Sequence, residues 1–452
     1  MSGACATLLL AHGVLAHGLG GSSDLPVPYA YAMVGAAWAL TFTFALVAFA
    51  WRKPRFDPGK PGRPLPDAVT TLVDSPVTRW TAAGLALAFT AWVAAAALFG
   101  PQTSANALPG AFYVLLWVGL VALSLLFGPV WRVISPVRTL YLGLRHVVPG
   151  RLGEPRLSYP EGWGYRPAAL GLFAFVWLEL ASPDPASLPW VKAWLLVYTV
   201  GLLVFAWLCG QRSLARADPF GVYSMAVSRL SPFRRNPDTG KIVVGNPFDH
   251  LPSLPVRPGV VVLLAVLLGS TAFDSYSASP TWRNFADGLS RAAHGVPETL
   301  SSSALRTVGL VIFISVVALT FSFAARATGG VDAEQRRALP GQMAHSLIPI
   351  VVGYIFAHYL SYLVERGQQT IFALADPLSR GWHVAYVLSE HPPILAGIKV
   401  ACVVTGHITA VIAAHDKALR LLPAGHQLTG QLTMMLVMVG YTFTGLYLLF
   451  GG

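Results

Sequence analysis

Residues 345–366 read HSLIPIVVGYIFAHYLSYLVER, a stretch that stays almost entirely apolar until Glu365 and Arg366 end it. A helix needs about 20 mostly apolar residues to cross the hydrocarbon core, because each residue adds about 1.5 Å. Lipid offers no partners to the backbone, so a helix is the favoured form of such a stretch. The stretch therefore predicts a transmembrane helix, with His345 near one end and His358 deeper within the membrane.

Stretches of this kind recur along the whole chain, which is 54% hydrophobic, only 11% charged and has a mean hydropathy of +0.58. A soluble domain usually has about a quarter of its residues charged, so a soluble protein is excluded. The sequence predicts an all-α fold, a polytopic transmembrane helical bundle of about ten spans that forms a single integral membrane domain, residues 1–452. The expected spans are 29–51, 81–100, 111–131, 167–182, 190–210, 259–277, 305–325, 342–364, 394–414 and 428–450.

The basic residues predict the orientation, because most of the 31 lysines and arginines lie in loops that follow odd-numbered spans. By the positive-inside rule these loops are cytoplasmic, and both termini of this multi-pass cell-membrane protein are extracytoplasmic. The net charge of +11 then reflects topology and attraction to the headgroups of the lipid bilayer, with no nucleic-acid partner needed. We expect cytoplasmic segments with basic helices in the headgroup plane at 132–166 and 211–257, and extracytoplasmic loops at 278–304 and 366–393.

Three of the ionisable residues in the predicted spans lie at a similar distance from the outer boundary of the membrane. They are Glu179 in FVWLELASPDP, Asp274 in LLGSTAFDSYSASP and His358 in GYIFAHYLSYLVER. Ionisable groups in the membrane are costly, so each is a candidate for function. His17, in the outer segment VLAHGLGGSSDLPVP, is placed to reach the same level from above.

The chemistry of this group of residues leaves three interpretations open. Carboxylates with neutral imidazoles suit a divalent metal such as Zn or Cu, which makes His17, Glu179, Asp274 and His358 predicted metal ligands. The same side chains could relay protons, since imidazole titrates near neutral pH. Alternatively, these residues have only a structural role: the carboxylates reach the membrane–water interface, and the histidine is a hydrogen-bonded packing residue.

A haem cofactor is a further hypothesis, with His407 as the candidate ligand. His407 lies near the middle of the ninth span, beside Gly406, which permits close helix approach. His345 and His358 are separated by about 140° around an ideal helix, which argues against a pair of stacked haems. A single haem between His358 and His407 stays open.

Several segments together resemble a family of actinobacterial polytopic membrane proteins, whose members are often labelled fenitrothion hydrolase-like or hypothetical membrane protein. The segments are AHGLGGSSDLPVP, FVWLELASPDP, ADPFGVYSMAVSRLSPF, LLGSTAFDSYS, HSLIPIVVGYIFAHYLSYL and GHITAVIAAHDKALRLLP. The resemblance covers nearly the whole length and implies hydrolysis of an organophosphorus ester, a reaction that metal-activated water would serve. It carries no catalytic residue over to this chain.

Three functions follow from these observations. The first is a membrane metalloprotein with an outer-leaflet His/carboxylate site. In one form of this hypothesis the protein hydrolyses a phosphoester-type substrate. The second is a proton-coupled transporter of a small solute that enters from the outer side. The third is a subunit of a membrane complex that carries haem or another redox group. Serine-hydrolase, P-loop and zincin motifs are absent from the sequence.

Overall fold

The computed structural model of the chain describes residues 24–148, 154–185, 187–292, 297–375 and 383–450. Within them, nine helices are long and apolar enough to cross a membrane, which confirms the all-α polytopic bundle. A tenth helix, of 15 residues, matches the fourth expected span. In chain order the ten are α1 Tyr29–Ala50, α2 Pro76–Phe99, α3 Ala107–Phe127, α4 Arg166–Leu180, α5 Leu188–Cys209, α6 Val260–Ser277, α7 Glu298–Arg326, α8 Ala333–Ala375, α9 Pro392–Leu421 and α10 Thr429–Phe450.

The loops that follow α1, α3, α5 and α9 meet on one side of the bundle, which we call the basic face. A three-stranded antiparallel sheet joins the first of these loops to the third, with β1 Arg63–Pro64, β2 Phe233–Arg235 and β3 Ile242–Val244 in the order β1-β3-β2. Arg235 binds both carboxylate oxygens of Asp74, at 2.6 and 2.9 Å. The loop after α1 is also tied to α9, where His415 Nε2 lies 2.9 Å from the carbonyl oxygen of Trp51. The sorting of loops by charge in the sequence therefore matches their sorting in space.

The short helix α4 runs from the basic face to the opposite face, as its neighbours do. At its start, the N–H of Tyr165 donates to the carbonyl of Pro258, just before α6. Beyond its end, the carbonyl of Pro185 accepts from Tyr113 Oη, near the start of α3. Since α3 ends and α6 begins on the basic face, α4 connects opposite faces of the bundle.

One cytoplasmic expectation was wrong in part. Within the predicted segment 211–257, the helix Pro219–Val227 does not lie in the headgroup plane, because eight of its nine residues are buried. It inserts from the basic face between α3, α4 and α5, so that Phe220 packs on Phe175 and Tyr223 packs on Trp117. Buried Asp218 caps it and accepts from Trp131 Nε1 and Tyr198 Oη at 2.7 and 2.9 Å.

The predicted segment 132–166 contains a helix that lies on the surface of the bundle; its position in the headgroup plane stays a prediction. Its helix Pro136–Val147 buries Val137, Thr139 and Tyr141 against the bundle. The last turn of this helix carries an arginine and a histidine. Trp131, just before this helix, is buried as the partner of Asp218. This segment therefore packs along the surface of the bundle with one apolar side inward.

The boundaries of the opposite-face loops differ from those expected. The predicted loop 278–304 contains the helix Pro280–Ala292, and α7 already begins at Glu298. The predicted loop 366–393 is shortened at both ends, because α8 continues to Ala375 and α9 begins at Pro392. Helices thus extend beyond the apolar stretches that revealed them.

α8 is built from five pieces, and the change of pitch between them sets the direction of its side chains. After its first helix, Ala333–Met343, a 3-10 turn at Ala344–Leu347 leads into the α-helix Ile348–Ser361. A π-helical turn, Tyr362–Arg366, follows before Gly367–Ala375. Such π turns are frequent at functional sites. This one comes four residues after His358.

Candidate functional site

The structure places His358 of α8 in direct contact with Asp274 of α6, inside the bundle. His358 Nε2 lies 2.9 Å from Asp274 Oδ2, and Tyr359 Oη donates to the same oxygen over 2.8 Å. His358 has no exposed surface and Asp274 is 7% exposed. One oxygen of the Asp274 carboxylate is therefore hydrogen-bonded to two consecutive residues of α8.

The polar end of α6 explains how Asp274 reaches this position. Ser270 and Thr271 are buried, and both hydroxyls donate to the Leu267 carbonyl in their own helix. A Cβ on Gly269 would lie 2.7 Å from the Cα of Ile314, so α6 and α7 are in backbone contact at this level. Small and hydroxylated residues thus serve helix packing in the middle of α6. The next turn, with Asp274 and Ser275, faces His358.

Ser275 supplies the second contact to the imidazole. Its Oγ lies 3.3 Å from His358 Nδ1 and also 3.3 Å from the carbonyl oxygen of Thr271. With neutral His358, the hydroxyl donates to Nδ1. When Nδ1 carries a proton, Nδ1 donates to Oγ and the hydroxyl donates to Thr271. The site can therefore hold His358 in either protonation state without leaving a ring nitrogen unpartnered.

Glu179 lies next to this pair but does not bind it directly. The side chain comes from the end of α4, is partly exposed and interacts electrostatically with Asp274 and with Tyr113, Tyr359 and Tyr362. Two carboxyl groups from different helices therefore share one region near the non-basic end of the bundle. Of the three residues predicted at one depth, Asp274 and His358 are in direct contact, and Glu179 interacts electrostatically with Asp274.

The predicted metal ligands do not form a ready-made metal centre within the residues that the structure describes. No group of three or more histidine, cysteine, aspartate or glutamate side chains there is arranged to hold an ion. Asp274 and His358 are instead bonded to each other. His17, the fourth predicted ligand, lies outside the described residues. A metal role for this set stays a prediction.

His407, the predicted cofactor ligand, is fully buried on α9. Its Nδ1 donates to the Val403 carbonyl over 2.9 Å, and its ring packs edge-on to Tyr354 at 5.8 Å between centroids. Among the described residues its Nε2 has no hydrogen-bond partner. His358 and His407 thus have separate partners, and α8 and α9 are in backbone contact at Gly353 and Gly406. A haem bound by His407 stays a prediction.

The sequence did not point to Tyr359 as part of the site, nor to the hydrogen bonds of Glu365. Tyr359 was hidden because depth along a helix was considered without direction, yet its position directly after His358 was a usable signal. Glu365 ends the apolar stretch that contains His358. It accepts hydrogen bonds from the N–H groups of Leu388 and Ser389, at 3.1 and 2.8 Å, and so fixes the segment before α9.

Two small cavities, of about 10 Å³ each, lie towards the basic face rather than at Asp274. Met343, Gln431 and Met434 line both. Each has room for about one water molecule. Comparison with protein-family models, with curated proteins and with solved structures finds no match to this chain.

Proposed function

We propose that this protein is a proton-coupled membrane transporter in which Asp274 and His358 bind and release the coupling proton. The observation that carries the proposal is the hydrogen bonding of His358, which has an acidic partner at Nε2 and a reversible hydroxyl partner at Nδ1. A buried histidine that is fixed only for packing needs one stable set of partners. A proton carrier needs partners for both of its charge states.

Glu179 provides the route by which the proton reaches the pair. It is partly exposed, it lies at the end of α4, and it interacts electrostatically with Asp274 and three surrounding tyrosines. In our proposal a proton enters at Glu179, passes to the Asp274–His358 pair and leaves towards the basic face after a conformational change. The positive-inside rule makes the basic face cytoplasmic, so the Asp274 site belongs to the outer half of the membrane.

The coupling is tested in proteoliposomes with an imposed pH gradient and a trapped pH-sensitive dye. We expect at least one member of a panel of small cationic, neutral and anionic solutes to accelerate the decay of the gradient in the wild type. Asp274→Asn should abolish that acceleration, since an amide cannot release a proton. Asp238→Asn, which changes an exposed carboxylate on the basic face, is the matched control. Acceleration that persists undiminished in Asp274→Asn would refute the proposal.

A metalloprotein remains the second candidate, favoured by the closeness of Glu179 to Asp274. If Glu179 joined Asp274 and His358, the site would have two carboxylates and an imidazole, and three protein ligands are the usual set of a catalytic zinc site. Metal analysis of purified protein separates the two functions. A stoichiometric metal that both His358→Ala and Glu179→Gln remove would support the metal site, and the hydrolytic function that the family resemblance implies would then become the better explanation.

A further inference from the structure

Two arginines at the basic face have no carboxylate partner among the residues that the structure describes. Arg229 follows the inserted helix Pro219–Val227, and its Nη1 donates to His250 Nε2 and to Ser253 Oγ, at 2.9 and 2.7 Å. Arg234 lies on β2, is only 8% exposed and donates through Nη2 to the Lys60 carbonyl at 2.8 Å. Within the described chain, neither guanidinium contacts a carboxylate.

The neighbouring residue on the same strand, Arg235, has a carboxylate partner. Arg235 is exposed and binds Asp74 with both terminal nitrogens, and this hydrogen bonding lowers the pKa of the Asp74 carboxyl. Arg234, one position earlier and facing the other side of the sheet, is buried without any such partner. Burying a charge without a partner costs free energy, so the burial of Arg234 requires a physical explanation.

The protonation of His250 follows from its contact with Arg229. A guanidinium can only donate, so His250 Nε2 accepts and the ring proton lies on Nδ1. Burial, followed by the charges of Arg229 and Arg234, lowers the pKa of His250 to about 3, which keeps the ring neutral at neutral pH. His250 Nδ1–H is therefore a donor, and it is buried with no partner among the described residues.

Two further donors in this group share that condition. Arg229 Nε and Arg234 Nη1 are buried and have no hydrogen-bond partner within the described chain. Both arginines interact electrostatically with His250, and Arg132 adds a further positive charge near Arg229. Three unsatisfied donors therefore lie on side chains that are linked by the interaction of both arginines with His250, and neither guanidinium charge has a carboxylate partner within the described chain. An anion with several acceptor oxygens would correct both deficits at once.

We propose that Arg229, Arg234 and His250 form a binding site for a phosphate group at the basic face. Phosphate offers several acceptor oxygens and a charge that two guanidinium groups can match, and arginine is the side chain best suited to bind it. The phosphate is either a free anion or the headgroup of an anionic lipid. The site is separate from Asp274 and does not depend on proton coupling.

The test uses the full-length protein in detergent and follows its unfolding temperature. Sodium phosphate is compared with sodium chloride at equal ionic strength, and dioleoyl phosphatidic acid is compared with dioleoylglycerol, which lacks the phosphate. A ligand that binds only the folded state raises the unfolding temperature with its concentration. We expect one of the two phosphate probes to do so, and the probe that acts distinguishes a free anion from a lipid.

Matched variants show whether the effect comes from this cluster. Arg234→Gln should weaken phosphate binding by about tenfold or more, the loss expected for a charge-assisted hydrogen bond, whereas Arg235→Gln should leave binding unchanged. If Arg234→Gln does not fold, Arg229→Lys keeps the charge but lacks Nε, and it should weaken binding in the same way. The proposal is overturned if neither phosphate probe stabilises the wild type beyond its control. It is also overturned if Arg235→Gln weakens binding as much as Arg234→Gln does.

Discussion

Replacing Asp274 by alanine is expected to destabilise the folded protein by about 3 kcal/mol, because it leaves two buried donors without an acceptor. These donors are His358 Nε2–H and Tyr359 Oη–H, which both reach Asp274 Oδ2. The free energy of unfolding is measured by titration with sodium dodecyl sulfate in mixed micelles. Asp274→Asn should lose less stability, since its amide oxygen still accepts a hydrogen bond.

A double-mutant cycle makes this prediction specific to the contact. Tyr359→Phe alone should cost about 1 kcal/mol, the net value of one hydrogen bond. In the Asp274→Ala background the same change should cost nothing or be stabilising, since it removes a hydroxyl that has lost its partner. Asp238→Ala serves as the control for the loss of a carboxylate. Additive effects of Asp274→Ala and Tyr359→Phe would show that the two residues do not interact.

The second large effect is expected at the contact between α8 and α9. A Cβ on Gly406 would lie 2.7 Å from the carbonyl oxygen of Pro349 and 3.4 Å from the Cα of Gly353, so backbone meets backbone there. Gly406→Ala must push the two helices apart and should destabilise the protein by about 2 kcal/mol, as overpacking of a tight contact does. Because α8 carries His358, the same shift should also disturb the Asp274 site.

Gly397 provides a control of opposite sign on the same helix. A Cβ at this position meets no atom within 4 Å. Gly397→Ala therefore gains helix propensity without a clash and should stabilise the protein by about 0.5 kcal/mol or more. Equal effects of Gly397→Ala and Gly406→Ala in the detergent titration would contradict the close packing of α8 on α9.

Hydropathy predicted the spanning helices well, because a membrane helix must be long, apolar and self-sufficient in hydrogen bonds. The short helix α4 was found for the same reason, although only its contacts at both faces show that it crosses the bundle. The helix Pro219–Val227 was misplaced because nine residues are too few to register as a span. This helix is buried because it packs on Phe175 and Trp117. No local sequence pattern encodes those contacts.

The site was predictable in part and for a similar reason. Depth along each span brought Glu179, Asp274 and His358 to one level, but depth says nothing about direction around the helix. The roles of Ser275 and Tyr359 depend on the angle at which α6 meets α8, which only the folded structure gives. The unpaired charge of Arg234 was equally invisible, since its neighbour Arg235 is identical in type and differs only in its partners.

Proton binding by the Asp274–His358 pair is tested most directly by infrared difference spectroscopy of the protein in lipid nanodiscs during a pH titration. Our account predicts carboxyl and imidazole bands that change with pH in the wild type and are lost in both Asp274→Asn and His358→Gln. Glu161→Gln, which changes an exposed carboxylate paired with Arg216, should keep them. Identical pH-dependent spectra of the wild type and Asp274→Asn would contradict the account.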